Sequence, residues 1–458
     1  MKFVKRALLV LILIALAYSI YYVSQALPIL SGYGAKNVCS CVMVGGRDLQ
    51  SVLENELSSS PLKYGTYSVD FTDSSATGTV LGFAKQRAIY RKGLGCTLIE
   101  ELTEEEIRNQ KINLPIVVLQ NSDTIPWPQG NLSSDSIPAG VDIGKLNLVV
   151  SAAFDEPGPK PLRRTRAILV AYNGKIIAEK YAEGFTKDSR QLGWSMTKSL
   201  TNAMVGILVK QGKLNINDPA PIESWKSDAR NKITLNDLMH MSSGLDWVED
   251  YSGPSGATNM LFKKKDMGVY AATVPAKEEP GKVFYYSSGT TNIISRIIRD
   301  KIGDEHYYRF PYEELFYKLG IHSMVIEPDA GGTFVGSSYS FATARDWARF
   351  GLLYLNDGVW NGERILPEGW VTYSYTPASG AQLGEYGAQF WLNAGAKGNS
   401  EKRIYPSVST DLYWADGFEG QNVFILPSKK LVIVKLSQSQ GNYLDDDQFL
   451  AGIVESLN

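Results

Sequence analysis

Chemistry first suggests itself at Ser195-Met196-Thr197-Lys198, a hydroxyl and an amine three residues apart at the head of an apolar run. Leu200, Ala203, Met204, Ile207 and Leu208 recur at helical spacing and Gly212 supplies a stop, so residues 193–212 are predicted to form a buried helix. Side chains three apart share one helix face, which brings the Lys198 amine to the Ser195 hydroxyl. A serine attacks when a neighbour takes its proton, and a lysine serves as that neighbour when burial lowers its pKa. The positive end of the helix dipole also favours the oxyanion that attack creates. Taken alone the pattern is weak, because Ser60-Pro61-Leu62-Lys63 fits it too, in a segment that its proline and serines unsuit for a catalytic helix.

Two later stretches offer partners. In Tyr285-Tyr286-Ser287-Ser288 a phenol precedes a hydroxyl by two residues, and Tyr285 with Ser287 fits as well as Tyr286 with Ser288. Trp414-Ala415-Asp416-Gly417-Phe418-Glu419-Gly420-Gln421 places small residues at a strand edge, where a substrate can lie close to backbone N–H groups. Each stretch by itself also suits a bland role, aromatic packing in one and a glycine-containing loop in the other.

These residues need a scaffold. Ala167 to Tyr172 and Lys175 to Tyr181 flank Asn173-Gly174 as a hairpin, and Asn422 to Leu426 with Lys430 to Ser437 form a second around Pro427-Ser428-Lys429. Helices are expected at Ile233 to Met241, Thr290 to Asp300, Ala342 to Asn356 and Gln448 to Leu457. Hairpins at both ends of a domain with helices between them imply an antiparallel, helix-covered sheet and a second, helical lobe. Upstream, Thr66 to Phe71 and Thr77 to Arg87 alternate like strands, Glu100 to Asn109 reads as a charged helical turn or two, Asn121 to Gly140 as loop, and Glu156 to Pro161 as a linker.

At 458 residues, 44% hydrophobic and a net charge of -2, the chain can bury a sizeable core and holds more than one folding unit. Its mixed charges offer nothing basic enough for nucleic acid. No G-x-S-x-G, H-E-x-x-H or phosphate loop is present, and His240, His306 and His322 are the only imidazoles, so no metal or cofactor is expected. Lys2, Lys5 and Arg6 precede an uncharged apolar run from Ala7 through Val23. That predicts a membrane helix, favoured as a retained signal anchor over a cleaved signal peptide because no A-x-A-like site follows. The basic flank holds the N-terminus in the cytoplasm and sends the remainder to the extracytoplasmic, periplasmic side. There Cys39 or Cys41 can pair with Cys96, or all three can be buried small residues.

In their order and spacing, the three chemical stretches resemble the serine β-lactamase-like hydrolases, which include class C β-lactamases, penicillin-binding DD-peptidases and related esterases and amidases. Ser195-Met196-Thr197-Lys198 is similar to the family's S-x-x-K, Pro280-Gly281-Lys282-Val283-Phe284-Tyr285-Tyr286-Ser287-Ser288 to its second motif, which selects Tyr286, and Ala415-Asp416-Gly417 falls where K-T-G or H-T-G stands. Leu238 to Leu245 resembles the family's L-L-x-H-T-S-G-L, with Met241 for the histidine. The resemblance implies a β-lactamase/transpeptidase-like α/β (α+β) fold over residues 161–458, after an anchor at 1–30 and an extension of unknown role at 31–160. It implies acylation of Ser195, acid and base work shared by Lys198 and Tyr286, a hydrogen bond from Ser288, and an oxyanion hole from the N–H groups of Ser195 and Phe418 beside Gly417. With Ala415 and Asp416 in place of the carboxylate-binding pair, small neutral or cationic amides and esters are expected as substrates, ahead of β-lactams or cell-wall peptides. The loop from Ser243 to Tyr251 looks like the 6-aminohexanoate-dimer hydrolase branch, which makes Tyr251 a substrate contact by resemblance. The reading of another class is a tethered binding protein of the same fold without turnover. Nothing in the sequence speaks to oligomeric state.

Overall fold

The apolar N-terminal run does not stop where its composition changes. In the computed structural model, which describes residues 2–115, 122–133, 136–159, 162–441 and 443–457, one helix α1 covers Lys2–Met43. Lys160 and Pro161 of the expected linker, and Asn121, Ser134 and Asp135 of the expected loop, lie outside the described residues. The first half of α1 is bare and apolar, with a mean hydropathy of 2.3, and it is long and apolar enough to cross a membrane. From Ile29 onward the same helix is largely buried.

Two compact units divide the chain, and each has its own core. The first comprises Met1–Gln110, Val248–Met267 and Asp329–Gly332. Its sheet is an antiparallel meander of β1 (Gly65–Asp70), β2 (Ser75–Val80), β3 (Phe83–Arg91) and β4 (Gly95–Leu98) laid on α1. The expected strand from Thr77 to Arg87 is therefore two strands and a turn at Leu81-Gly82, where no Asn-Gly or Asp-Gly marks the reversal.

A disulfide joins Cys39 of α1 to Cys96 of β4, and Cys41 stays a buried thiol. The bridge spans 57 positions, and closing a loop of that length in the unfolded chain is worth about 4 kcal/mol. Replacing Cys39 and Cys96 together by serine should lower the first unit's unfolding midpoint in urea and abolish its dependence on reductant. An unchanged midpoint would remove the bridge from the account.

The second unit holds Lys111–Trp247, Gly268–Pro328 and Thr333–Asn458. Its six-stranded antiparallel sheet contains β5 (Thr165–Tyr172), β6 (Lys175–Tyr181), β7 (Trp391–Leu392), β8 (Tyr413–Gly417), β9 (Gln421–Leu426) and β10 (Leu431–Ser437), ordered β7-β8-β9-β10-β5-β6. Strand β10 is buried on both faces along its whole length, so helices must cover both sides. On one face Leu146 and Val150 of α2 (Ile143–Ala152) and Phe449 and Ile453 of α6 (Asp446–Glu455) pack with Ile168, Phe424 and Ile433. On the other lies α5 (Ala344–Leu355), its Gly351 against Val423 and Val432.

Helix α3 (Thr197–Lys210) is buried along most of its length. Its polar Asn202 is tolerated there because the side-chain amide donates to Ser374 Oγ and the Ala388 carbonyl, while its oxygen accepts from Tyr354 and Trp370. The antiparallel, helix-covered sheet anticipated from the two hairpins is thus the architecture found.

Candidate active site

Ser195 sits in a single 3-10 turn, Trp194–Met196, that leads directly into α3. The residue before it, Trp194, has φ 46°, a conformation that non-glycine residues avoid and that clusters where chemistry is done. Thr197 holds the turn by donating to the Trp194 carbonyl at 2.6 Å and pairing with Ser340 Oγ at 2.7 Å.

Lys198 is 1% exposed, and its three ammonium protons match three acceptors. These are Ser195 Oγ at 2.9 Å, Ser288 Oγ at 3.1 Å and the Ser337 carbonyl at 2.9 Å. The amine also lies 4.8 Å from the centre of the Tyr286 ring. Ser288 opens α4 (Ser288–Ile302), whose cap is Ser287, accepting the Thr290 N–H at 2.9 Å. Tyr286 itself is half-buried among Phe284, Tyr386, Trp391 and Met241. Serine, lysine, tyrosine and the second serine are therefore gathered in one place, and Tyr285, 47% exposed, is not part of that cluster.

Strand β8 closes the site from the side. A Cβ on Gly417 would stand 2.2 Å from the Gly193 carbonyl, so only glycine lets the strand come this near the turn that carries Ser195. Phe418 follows, with its ring edge-on to Trp194 at 5.8 Å. Among the described residues, no backbone hydrogen bond outside the regular elements engages the N–H of Ser195 or of Phe418.

Asp416 is placed differently from the reading that gave it charge selection. Alternation along β8 turns its side chain to the α6 face, opposite Gly417, where it accepts from Asn422 Nδ2 at 2.7 Å and faces Lys435, Asp446 and the Trp414 indole. The structure does not bring it to Ser195. Burial, aided by Asp446, pushes its carboxyl up to about 6 against the opposing pull of Lys435 and the Asn422 hydrogen bond. Because the native state then binds a proton that the unfolded chain releases near its ordinary value of 3.8, this group's stability contribution is full below about 4 and lost as pH rises through about 6. Asp416→Asn should flatten that fall, which is at most about 3 kcal/mol. Urea unfolding at pH 5 and pH 7.5 measures it, and equal slopes in the two proteins would refute it.

Tyr251 belongs to the first unit, where it is exposed and its hydroxyl donates to Glu249 at 2.7 Å. His240 packs edge-on to Tyr373 and touches the Asn236 carbonyl through Nδ1, and burial lowers its pKa, as it does for His322 stacked on Tyr317. The group at the Ser195 hydroxyl is an amine, not an imidazole. Sequence reasoning missed the Ser337 carbonyl, since a main-chain acceptor leaves no signal in residue type. Among the described residues no cluster of three or more His, Cys, Asp or Glu is placed to hold a metal ion.

Comparison with known proteins bears on the family and the fold. The family described as Beta-lactamase matches residues 158–454. A 6-aminohexanoate-dimer hydrolase from Paenarthrobacter ureafaciens is 27% identical over 301 residues, covering 60% of this chain and 72% of that protein. Among solved structures, a family VIII carboxylesterase has a TM-score of 0.52 at 16% identity, covering 69% of this chain and 96% of its own. A penicillin-binding protein homolog from Caulobacter crescentus has a TM-score of 0.52 at 15% identity, covering 70% and 98%. These two share the fold. Sequence match and architecture converge, and the chain belongs to the Beta-lactamase family of serine hydrolases.

Proposed function

We propose that this chain hydrolyses small amides or esters through an acyl-enzyme on Ser195, tethered to a membrane by α1 with its second unit on the extracytoplasmic side. The observation that carries the mechanism is the Lys198 amine, 2.9 Å from the Ser195 hydroxyl and held from behind by Ser288 and the Ser337 carbonyl. In its neutral form the amine takes the serine proton as Oγ attacks the substrate carbonyl, and returns it to the leaving amine or alcohol. Tyr286, whose ring lies against the amine, is assigned a share of the acid and base work by its place in the second motif, and the N–H groups of Ser195 and Phe418 receive the oxyanion. Water then attacks the acyl-enzyme with the same pair as base.

Ala415, where relatives carry a cation for a substrate carboxylate, supports neutral substrates, and the resemblance to a 6-aminohexanoate-dimer hydrolase supports an amide among them. The hydrolase domain then takes in α2, whose Leu146 and Val150 pack on its sheet, and the anchor with the rest of the extension precedes it. Retention of α1 is supported by its second half being core and by the disulfide, a bond of oxidising compartments.

A fluorophosphonate probe, with p-nitrophenyl esters, a chromogenic cephalosporin and short linear amides as substrates, tests the reading. Wild-type chain should label once and turn over an ester or amide, and Ser195→Ala should do neither. An unlabelled wild-type protein would leave a binding protein of this fold.

A further inference from the structure

We infer that the β2–β3 turn of the first unit is a second membrane contact, with Leu81 and Phe83 seated in the interfacial layer of the bilayer that α1 crosses. The inference rests on the proposal that α1 spans a membrane. Both side chains are large, apolar and left in the open, at 69% and 67% exposure. Leu81 carries a second cost. It has φ 50° in a two-residue turn whose next residue, Gly82, has φ 77°, a geometry that favours asparagine or glycine over a branched side chain. A leucine that is both strained and exposed to water is explained if water is not its solvent.

The register of β3 against α1 says which solvent it meets. Ser31 of α1 donates to the Ala84 carbonyl at the start of β3, and Cys39, two turns on, is bonded to Cys96, the partner of Tyr90 near the end of β3. Strand and helix therefore run in the same direction, and the turn before Phe83 lies on the membrane side of Ser31. From Ala84 back through Phe83 to the Leu81-Gly82 turn, where the chain reverses, is about 6 Å. From Ser31 back to Ser24, the last fully exposed residue of the bare stretch, is about 10 Å of helix. The tip thus comes within one helical turn of the end of the span, where Tyr18, Tyr21 and Tyr22 are exposed as an aromatic belt and Lys263 reaches Gln25 at 3.1 Å. A head-group layer roughly 5–7 Å thick on each side is deep enough to receive two such side chains. Exposed Lys85 beside them suits lipid phosphate.

The opposite end of β2 provides the control, because Phe71 in the β1–β2 turn is 72% exposed but on the far side of the sheet. The full chain is reconstituted in phosphatidylcholine vesicles containing lipid spin-labelled at carbon 5, with an environment-sensitive fluorophore on Leu81→Cys or on Phe71→Cys. The native cysteines are bridged or buried. The fluorophore at position 81 should be blue-shifted and quenched at least twofold more than that at position 71. Chain that floats with the vesicles but shows equal quenching at both positions would overturn the membrane contact alone. Chain that does not float would overturn the span and this inference together.

Discussion

Lys198→Ala is expected to lower kcat/KM on the best ester substrate by ~10³- to 10⁴-fold, about 4–5.5 kcal/mol of transition-state stabilisation, with circular dichroism unchanged. Three contacts converge on that one nitrogen, from Ser195, Ser288 and the Ser337 carbonyl, so its removal takes away the proton acceptor and the clamp that aims it. Lys198→Arg separates the two functions. A guanidinium keeps the positive charge but stays protonated, so it cannot take a proton from serine. If the amine is a base, the arginine enzyme should be as slow as the alanine one. If it only stabilises charge, arginine should restore much of the rate. Near-normal turnover in Lys198→Ala would remove lysine from the mechanism.

A single methyl group placed on Gly417 should be almost as damaging. Gly417→Ala puts a Cβ 2.2 Å from the Gly193 carbonyl and 3.0 Å from the Gln421 Cβ, and the first of these is backbone that cannot swing aside. Strand and nucleophile turn must separate, and the two N–H groups assigned to the oxyanion separate with them. A loss of ~10²- to 10³-fold in kcat is expected, the usual cost of losing one oxyanion donor. Overpacking should also lower stability by about 1–3 kcal/mol. Stopped-flow acylation with a p-nitrophenyl ester reads the first effect and urea unfolding the second. Wild-type kcat at an unchanged midpoint would show that the approach of β8 to Ser195 is not required.

The helix that brings Lys198 to Ser195 was legible because its information is local: spacing fixes a face, and a face fixes which side chains meet. The same holds for the hairpin around Asn173-Gly174, where the turn residues announce the reversal. Asp416 was misplaced because motif position carries no information about which side of a strand a residue occupies, whereas the pairing of Asp416 with Asn422 does. The reach of α1 goes past the anchor expected at 1–30, with Pro28, Gly32 and Gly34 all inside the helix. A Cβ at Gly34 would fall within 1.8 Å of the Tyr67 ring, so that glycine is there for close packing and not to end the helix.

Because α1 passes from a bare apolar half to buried core with no loop between them, cutting the proposed anchor away has a narrow safe window. Proteolysis just after Tyr22 or Val23 would leave the sheet's central support in place and yield a folded, soluble fragment. A cut about two turns later, beyond Ile29, would remove part of the helix that β1 to β4 rest on and leave the remainder held by the Cys39–Cys96 bridge, a fragment less stable than the first.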